Sequence, residues 1–247
     1  MRRAAIAILL ILVAVAAPPQ ARAADVLVVA VNHAPPYRII EGQGADTRFS
    51  GIYIDIMREI AGRAGLTLRF QRVPFRRALK LMENGRADLM VGPNKTAARE
   101  RFMRYLEVEL TSEAKAFYGK PGSAPVTGYA ELAGKRIAVQ RGARYFDPFD
   151  GDAELTKVEV ADYALAVRLA ARARVDLVIM PELLGDHMVR AAGAELVKGG
   201  YKAPGKPSFI AVSRKSGMLV AQTEALEQAL REAYADGTVA GIIGAYK

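Results

Sequence analysis

A segment that could bind an anion lies between residues 92 and 104. A strand-like apolar run, 87–91, comes first, and three arginines follow at positions 99, 101 and 104. Thr96 can N-cap the helix that begins just after it, and the free amides at a helix start favour an anion. Arg99 lies about one turn into this helix and could offer its planar guanidinium to a carboxylate. A charged surface helix explains the same residues equally well, and their spacing alone leaves both interpretations open.

Other kinds of site chemistry have little support in the sequence. The chain has no cysteine, and its two histidines, one of them His33, lack the H-x-x-x-H spacing of a metal site. His33 is interpreted instead as a hydrogen-bonding loop residue. No Ser-His-Asp set and no pair of carboxylates stands out, so no catalytic residue is predicted. We therefore expect neither a metal nor a cofactor.

Strands and helices alternate in the first half of the chain. Residues 26–31 form a continuous apolar run, as expected for a strand that is covered on both faces. Helical spacing follows over 52–64, two-residue alternation over 66–71, and helical spacing again from Phe75 to an Asn84-Gly85 stop. With the strand at 87–91, this order predicts a mostly parallel sheet with helices on its faces.

A second set of elements resembles the first. A strand is predicted at 136–139, a helix N-capped by Asp162 follows, and another strand is predicted at 175–179. The phrase Arg-Ala-Asp-Leu-Met-Val at 86–91 returns as Arg-Val-Asp-Leu-Val-Ile at 174–179. The chain then returns to a strand at 209–212 and ends in two helices, which indicates two lobes that are built alike.

The carboxyl ends of the predicted strands define where a ligand should bind. In open α/β sheets ligands bind outside these ends, which here are the segments 32–37, 92–94, 140–144 and 180–182. Gly92, in one of them, would let a ligand approach the backbone closely. Two segments come from each lobe, so the sequence predicts a small-molecule site in a cleft between the lobes.

The first 23 residues have the pattern of a secretory signal peptide. A basic start is followed by an unbroken apolar run, 4–17, then by two prolines and an Ala-Arg-Ala site at 21–23. We expect cleavage after Ala23, and an uncleaved membrane anchor is the alternative. Cleavage would remove three arginines and lower the formal net charge from +9 to +6. The remaining lysines and arginines are scattered, with no basic run of five, which argues against a nucleic-acid partner.

Seven stretches in a fixed order resemble family 3 of the bacterial extracellular solute-binding proteins, the periplasmic receptors of polar amino acid ABC transporters. They are "PPY" at 35–37, "GIYIDIMREIAGRAGL" at 51–66, "PFRRAL" at 74–79, "GRADLMVGPNKTAARERF" at 85–102, "LAGKRIAVQRGA" at 132–143, "RVDLVIM" at 174–180 and "FIAV" at 209–212. The resemblance implies the type II periplasmic-binding-protein fold, in which two α/β lobes joined by two hinge strands close on a ligand. It places lobe 1 at 24–108 and 210–247, lobe 2 at 114–204, and the hinges at 109–113 and 205–209.

The resemblance also implies roles for individual residues. Arg99, in the T-x-x-R motif that begins at Thr96, inherits the contact with the ligand α-carboxylate. Gly92 and Asn94 match backbone and hydroxyl contacts of the same loop, although the family usually has Ser or Thr where Asn94 stands. Phe75 matches an aromatic residue that packs on the ligand, and helix-core packing is its alternative role.

Lobe 2 contributes the loop 140–144, whose amides meet the carboxylate in the family. Gln140, Gly142 and Ala143 are its predicted contacts, and Arg144 is either a surface residue or an anion contact.

The sequence departs from the family where the ligand amine is bound. The family usually has an aspartate after the second-lobe strand, and this chain has Pro181 with Glu182 beside it. Glu182 is either an amine contact or a helix cap. The first-lobe acid is also missing, and Asn32 and His33 stand nearby. The carboxylate contact is thus expected to be kept, while ordinary amine recognition is not.

Three functions are compatible with these residues. The first is a monomeric periplasmic receptor that delivers a small carboxylate, an amino acid or a relative, to a membrane ABC permease. The second is an enzyme like the cyclohexadienyl dehydratases, which have the same fold and in which Glu182 or Asp186 would be the acid. The third is a ligand-sensing module of the type that is fused to kinases.

Overall fold

The protein is described by a computed structural model over residues 26–123 and 126–246. The predicted signal peptide at 1–23, the cleavage site after Ala23, the start of lobe 1 at residue 24 and the last residue of the chain lie outside the described residues. Within residues 26–123 and 126–246, no helix combines the length and apolar character needed to cross a bilayer.

The described residues form twelve strands and seven α-helices. The strands are β1 (Val26–Val31), β2 (Ile39–Glu41), β3 (Arg48–Ser50), β4 (Thr67–Arg72), β5 (Leu89–Asn94), β6 (Met103–Tyr105), β7 (Lys115–Gly119), β8 (Arg136–Gln140), β9 (Thr156–Val160), β10 (Leu177–Pro181), β11 (Val197–Ala203) and β12 (Ser208–Ser213). The helices are α1 (Ile52–Arg63), α2 (Phe75–Asn84), α3 (Ala97–Glu100), α4 (Tyr163–Ala171), α5 (Glu182–Ala191), α6 (Val220–Ala235) and α7 (Thr238–Gly244).

Two five-stranded sheets form the centres of two lobes, and β2 and β3 make a separate hairpin. The first sheet has the order β4-β1-β5-β12-β6, and the second has the order β11-β7-β10-β8-β9. In each sheet four strands run in one direction, and the fifth, β12 in the first sheet and β7 in the second, is antiparallel to both of its neighbours. The expectation of a mostly parallel sheet, made for β1, β4 and β5, is confirmed, and one reversed strand was not expected. Strands β7 and β12 enter their sheets after crossing from the other lobe, so they run antiparallel to their neighbours.

An aspartate at the start of one strand in each lobe explains the repeated sequence phrase. Asp88 accepts a 2.8 Å hydrogen bond from the backbone N–H of Val28, and Asp176 accepts one of 2.7 Å from that of Arg136. The backbone N–H groups of the two aspartates donate back to the same two residues. Each carboxylate therefore accepts from a backbone amide of the neighbouring parallel strand just before the strand pairing begins, where that amide would otherwise lack a partner. The repeat is a structural device and not a binding motif.

The chain passes between the two sheets twice. The first crossing runs from β6 to β7 and the second from β11 to β12, and a bridge between Ser112 and Pro207 joins them. The predicted hinges, 109–113 and 205–209, fall at these crossings, although residues 208 and 209 already belong to β12. Backbone bonds between Leu110 and Ser208 and between Ser208 and Thr111 hold the crossings side by side.

The strand predicted to end at Val91 extends three residues further in the structure. Strand β5 continues through Gly92, Pro93 and Asn94, and its pairing with β12 shifts register near Phe209. Gly92 makes this possible with a φ of 93°, a value that other residues rarely adopt. The extension carries Asn94 and the following loop further towards the second lobe.

Candidate functional site

A cleft between the carboxyl ends of the two sheets contains a cavity of about 70 Å³. Five of the residues predicted as ligand contacts line it: Phe75, Gly92, Asn94, Gln140 and Ala143. Both lobes contribute to its walls, as the positions of the strand ends had indicated. The other predicted residues lie beside the cavity or away from it.

Arg99 is buried beside this cavity, with only 5% of its surface exposed. Its Nη1 donates to the backbone oxygen of Asn94 at 2.8 Å, and its Nη2 donates to that of Gly142 in the other lobe at 2.9 Å. The guanidinium carbon lies 5.5 Å from the centre of the Phe75 ring, within the range of a cation–π contact. Burial lowers the pKa of Arg99 from its usual value. The structure thus brings Arg99, Phe75 and the loop of Gly142 together.

Thr96 supports Arg99 instead of reaching the cavity. Its hydroxyl oxygen accepts a 3.3 Å bond from the backbone N–H of Arg99, which confirms Thr96 as an N-cap. The helix that it caps, α3, is a single turn of four residues. The dipole of so short a helix adds little, so any anion bound here depends on the arginine side chain.

Arg38 occupies the space beside Gly92. Its Nη1 donates to the Val91 backbone oxygen at 2.9 Å and its Nε to the Asn32 backbone oxygen at 3.3 Å. A Cβ added at Gly92 would overlap that Nη1 and the Tyr53 ring. Arg38 is buried, and burial lowers its pKa. Gly92 therefore admits a guanidinium next to the backbone, so a ligand group would meet the arginine there.

The side chain of Asn94 is hydrogen-bonded to the second crossing, the segment between β11 and β12. Its Nδ2 donates to the backbone oxygens of Lys206 and Pro207, at 2.9 and 3.1 Å. Its own backbone oxygen accepts bonds from Arg99 and from the Tyr105 hydroxyl. Asn94 therefore positions Arg99 relative to the crossing, through a side-chain amide that can donate two hydrogen bonds.

Glu113 and Lys115 face the cavity from the start of lobe 2. The Tyr37 hydroxyl donates to Oε1 of Glu113, while the buried Oε2 has no hydrogen-bond partner among the described residues. Burial raises the pKa of Glu113, and the Tyr37 bond and the charge of Lys115 oppose that shift. The Lys115 amine donates to the Glu113 backbone oxygen at 3.2 Å, and burial lowers the pKa of Lys115.

Asn32 and Gln140 lie at an adjoining part of the same cleft. Both line a second cavity of about 420 Å³ together with His33 and Asp162, and Gln140 also lines the first. Asn32 Oδ1 and Gln140 Nε2 are buried and make no hydrogen bond within the described residues. His33 accepts a bond from the Ile40 backbone N–H, and burial lowers its pKa, so it acts as a neutral acceptor that orders its loop.

Glu182 is not brought to the cavity. Its carboxylate forms ion pairs of 2.7 Å with Lys198 and with Lys202 on β11, and these bonds lower its pKa. Its neighbour Pro181 does line the cavity, and it stands directly opposite Lys115 in the antiparallel pair β10–β7. The position where an amine acceptor was expected thus carries no charge and faces a lysine.

Several cavity residues were missed in the sequence: Tyr37, Arg38, Tyr53, Glu113, Lys115 and Tyr163. Some signals were present. Tyr37 and Arg38 follow two prolines that come shortly after the predicted strand 26–31. Glu113 and Lys115 are two residues apart at the beginning of an apolar run, so in a strand their side chains would point to the same face. Among residues 26–123 and 126–246, no three His, Asp or Glu side chains converge as metal ligands.

Comparison with known proteins identifies one family along nearly the whole described chain. Residues 26–246 match the model of the bacterial extracellular solute-binding proteins, family 3. A curated protein of Shewanella frigidimarina (strain NCIMB 400), named "Putative sensor protein", is 25% identical over 187 residues, which are 72% of this chain. The match spans only 27% of that protein's length.

Solved structures share the fold at low sequence identity. A histidine kinase sensor domain with similarity to periplasmic binding proteins superposes with a TM-score of 0.79 at 20% identity, covering 90% of this chain and 96% of that chain. An amino acid ABC transporter substrate-binding protein of Streptococcus pneumoniae, bound to L-arginine, gives 0.77 at 19%, with 89% and 93% covered. A His/Glu/Gln/Arg/opine family-binding protein of Silicibacter pomeroyi, in complex with lysine, gives 0.75 at 18%, with 90% and 96% covered. These likenesses confirm the two-lobed α/β fold of the type II periplasmic binding proteins.

Proposed function

This chain belongs to the bacterial extracellular solute-binding proteins, family 3, and we propose that it captures a small carboxylate-bearing solute, an amino acid or a relative, between its two lobes. The observation that carries the proposal is the buried guanidinium of Arg99, which touches both lobes and forms no ion pair within the described residues. A buried charge without a counter-ion is costly, and a ligand carboxylate would supply that counter-ion.

The family and the cleft support a role in transport. We propose that the protein acts in the periplasm after removal of its signal peptide, as a monomer without enzymatic activity, and hands its ligand to a membrane ABC permease. Two crossings that lie side by side between the lobes would let the lobes close on a ligand and present one shape to the permease. The structural relative with arginine bound is a substrate-binding protein of an amino acid ABC transporter, and the one with lysine bound is a periplasmic binding protein.

A ligand-sensing module is the second candidate function. The sensor protein of Shewanella frigidimarina shares 25% of 187 positions with this chain, and a kinase sensor domain has the same fold. In that role the cleft would bind the same class of solute, and closure would be read by a partner protein instead of a permease.

The binding proposal is tested by a thermal-shift panel of amino acids, keto acids, betaines and dicarboxylates, preceded by mass spectrometry of small molecules that copurify. A ligand at 100 times its dissociation constant stabilises the folded state by about 2.7 kcal/mol, a melting shift of about 5–11 °C for a chain of this size. A panel without any such shift would refute carboxylate capture. Deletion of the gene then separates the two roles, because a transport receptor is required for uptake of the ligand and a sensor is not.

A further inference from the structure

The described part of the chain buries three charged side chains, and all three are basic. They are Arg38, Arg99 and Lys115, which are 8%, 5% and 5% exposed. Arg38 and Lys115 line the central cavity, and Arg99 lies beside it against Phe75. None of the three forms an ion pair within residues 26–123 and 126–246. The positive charge of the folded interior is thus concentrated at one place.

Among the described residues that line the cavity, Glu113 is the one carboxylate, and the charge of Asp150 nearby acts on both Arg99 and Lys115. Glu113 lines the cavity, where its Oε1 accepts from Tyr37 and its Oε2 has no partner among the described residues. Pro181, which also lines the cavity, brings no charge to it, and Glu182 is held by two lysines on β11. Arg144, which is exposed, also lines the cavity, so four cations face the two carboxylates of Glu113 and Asp150, and two positive charges are left without compensation. Burial of an unpaired charge costs several kcal/mol, so this arrangement indicates a ligand that brings negative charge.

Two of the cations, Arg38 and Lys115, line the cavity itself and keep unused hydrogen-bond donors. The Nε and Nη1 groups of Arg38 donate hydrogen bonds to the backbone oxygens of Asn32 and Val91, and its Nη2 has no acceptor within the described residues. Lys115 donates to the Glu113 backbone oxygen only, so two of its three donors stay available. Both side chains line the cavity wall, whereas Arg99 is held between Asn94 and Gly142 at its edge.

From this charge balance we infer that the ligand is a short dicarboxylate without an ammonium group, with one carboxylate on Arg99 and the second on Arg38 and Lys115. The inference rests on the proposed capture of a carboxylate and adds the second anionic end. The size of the cavity agrees, since about 70 Å³ accommodates about five to seven water-sized groups. Malonate and succinate, with about seven and eight non-hydrogen atoms, are the shortest dicarboxylates with a methylene spacer, and they lie at and just above the upper end of that range.

Titration calorimetry on the full chain tests the inference with succinate and malonate against propionate, butyrate, aspartate and inorganic phosphate. Loss of a buried charge pair weakens binding by about 30-fold or more. We therefore expect succinate or malonate to bind at least that much more tightly than the monocarboxylates, and more tightly than aspartate, whose ammonium would meet Lys115 and Arg38.

Lys115→Met provides the residue-level test. It should weaken succinate about 30-fold or more and propionate by less than about threefold, because propionate needs only Arg99. Lys120→Met is the matched control, an exposed lysine just past the same strand, and should change neither affinity. A variant that weakens succinate and propionate equally overturns the second subsite, and so does a wild type that binds propionate or phosphate as tightly as succinate. If no carboxylate binds, the proposed function itself has failed, which is a distinct result.

Discussion

The guanidinium of Arg38 lies against Gly92, in the space that a Cβ at that position would need. The sequence indicated that Gly92 lets a ligand approach the backbone. In the structure the Arg38 guanidinium fills this space, and its Nη1 donates a 2.9 Å hydrogen bond to the backbone oxygen of Val91 in β5. A glycine that looked like an opening for ligand is therefore part of the support for a buried cation.

Gly92→Ala should destabilise the protein. Its φ of 93° is strained for any other residue, at a cost of about 1–3 kcal/mol, and the new methyl group would also displace Arg38 and Tyr53. Urea unfolding measures the difference. Gly62→Ala is the control, because nothing lies within 4 Å of a Cβ there and its position inside α1 favours alanine by about 0.5–1 kcal/mol. Equal stability of Gly92→Ala and wild type would show that Arg38 does not occupy this space.

Arg99→Ala should weaken ligand binding far more than Arg101→Ala. Removing one partner of a buried charge pair costs about 2–5 kcal/mol, which is about 30-fold or more in affinity. Arg101 is exposed, and its Nε reaches only the Ala98 oxygen of its own turn, at 3.4 Å. Calorimetry with any ligand found in the thermal-shift panel decides the matter. Equal losses in the two variants would mean that Arg99 is not the carboxylate contact.

Pro181→Asp should convert the site towards α-amino acids. The new carboxylate would stand opposite Lys115, and an aspartate is a favourable residue at the N-cap of α5. A charge-assisted hydrogen bond contributes about 1.5–3 kcal/mol, so we expect aspartate or glutamate to bind about 10-fold more tightly and succinate more weakly. Competition calorimetry measures both. An unchanged preference would argue against Pro181 as the determinant of amine rejection.

Glu182→Gln should leave ligand affinity unchanged. The carboxylate of Glu182 pairs with Lys198 and Lys202, and 26% of its side chain is exposed, so the variant should lose only about 0–1 kcal/mol of stability. The same titrations serve as the readout. A tenfold loss of affinity would restore Glu182 as a ligand contact.

Lys115→Met should stabilise the protein at neutral pH by about 1 kcal/mol. Burial is the main cause that lowers the pKa of Lys115 from 10.5, and Glu113 partly opposes it. Because the folded-state pKa is the lower one, the charged amine costs stability below that pKa, and this cost disappears as the pH rises towards 10.5. Urea unfolding at pH 7 and pH 10 should show a gap between variant and wild type that narrows at the higher pH. A variant that is less stable at pH 7 would mean that the attraction between the charges of Lys115 and Glu113 stabilises the fold by more than the burial of the amine costs.

The regular elements were largely predictable because local pattern and tertiary structure agree in them. The run 26–31 is β1, the helical spacing from Phe75 ends at Asn84 in α2, and Asp162 caps α4 with a 2.8 Å bond to the Leu165 N–H. Strands that pair only through long-range contacts, such as β9 and β11, carried no comparable signal. Lys and Glu residues interrupt their apolar pattern because one face of each is exposed.

The site was predictable where a role depends on sequence neighbours. Thr96 and Arg99 act within one turn, so their relationship could be seen in the spacing. Pro181 and Lys115 meet because β10 pairs with β7, and the Arg38 side chain meets Gly92 only in the assembled lobe, so no local pattern contains that information. Burial of a cation is likewise a property of the assembled fold, which is why the count of charges around the cavity could not be made from the sequence.

The late position of β12 in the chain has a consequence for biosynthesis. This strand lies between β5 and β6, yet it is made after the whole of lobe 2. Chains emerge from the ribosome with the N-terminal end first, so β5 keeps an unpaired edge until the last part of the protein has been made. Lobe 2, by contrast, is complete in one continuous stretch. A ribosome-bound or truncated chain that lacks β12 could therefore form the second lobe, while the first lobe and the cleft await the C-terminal segment.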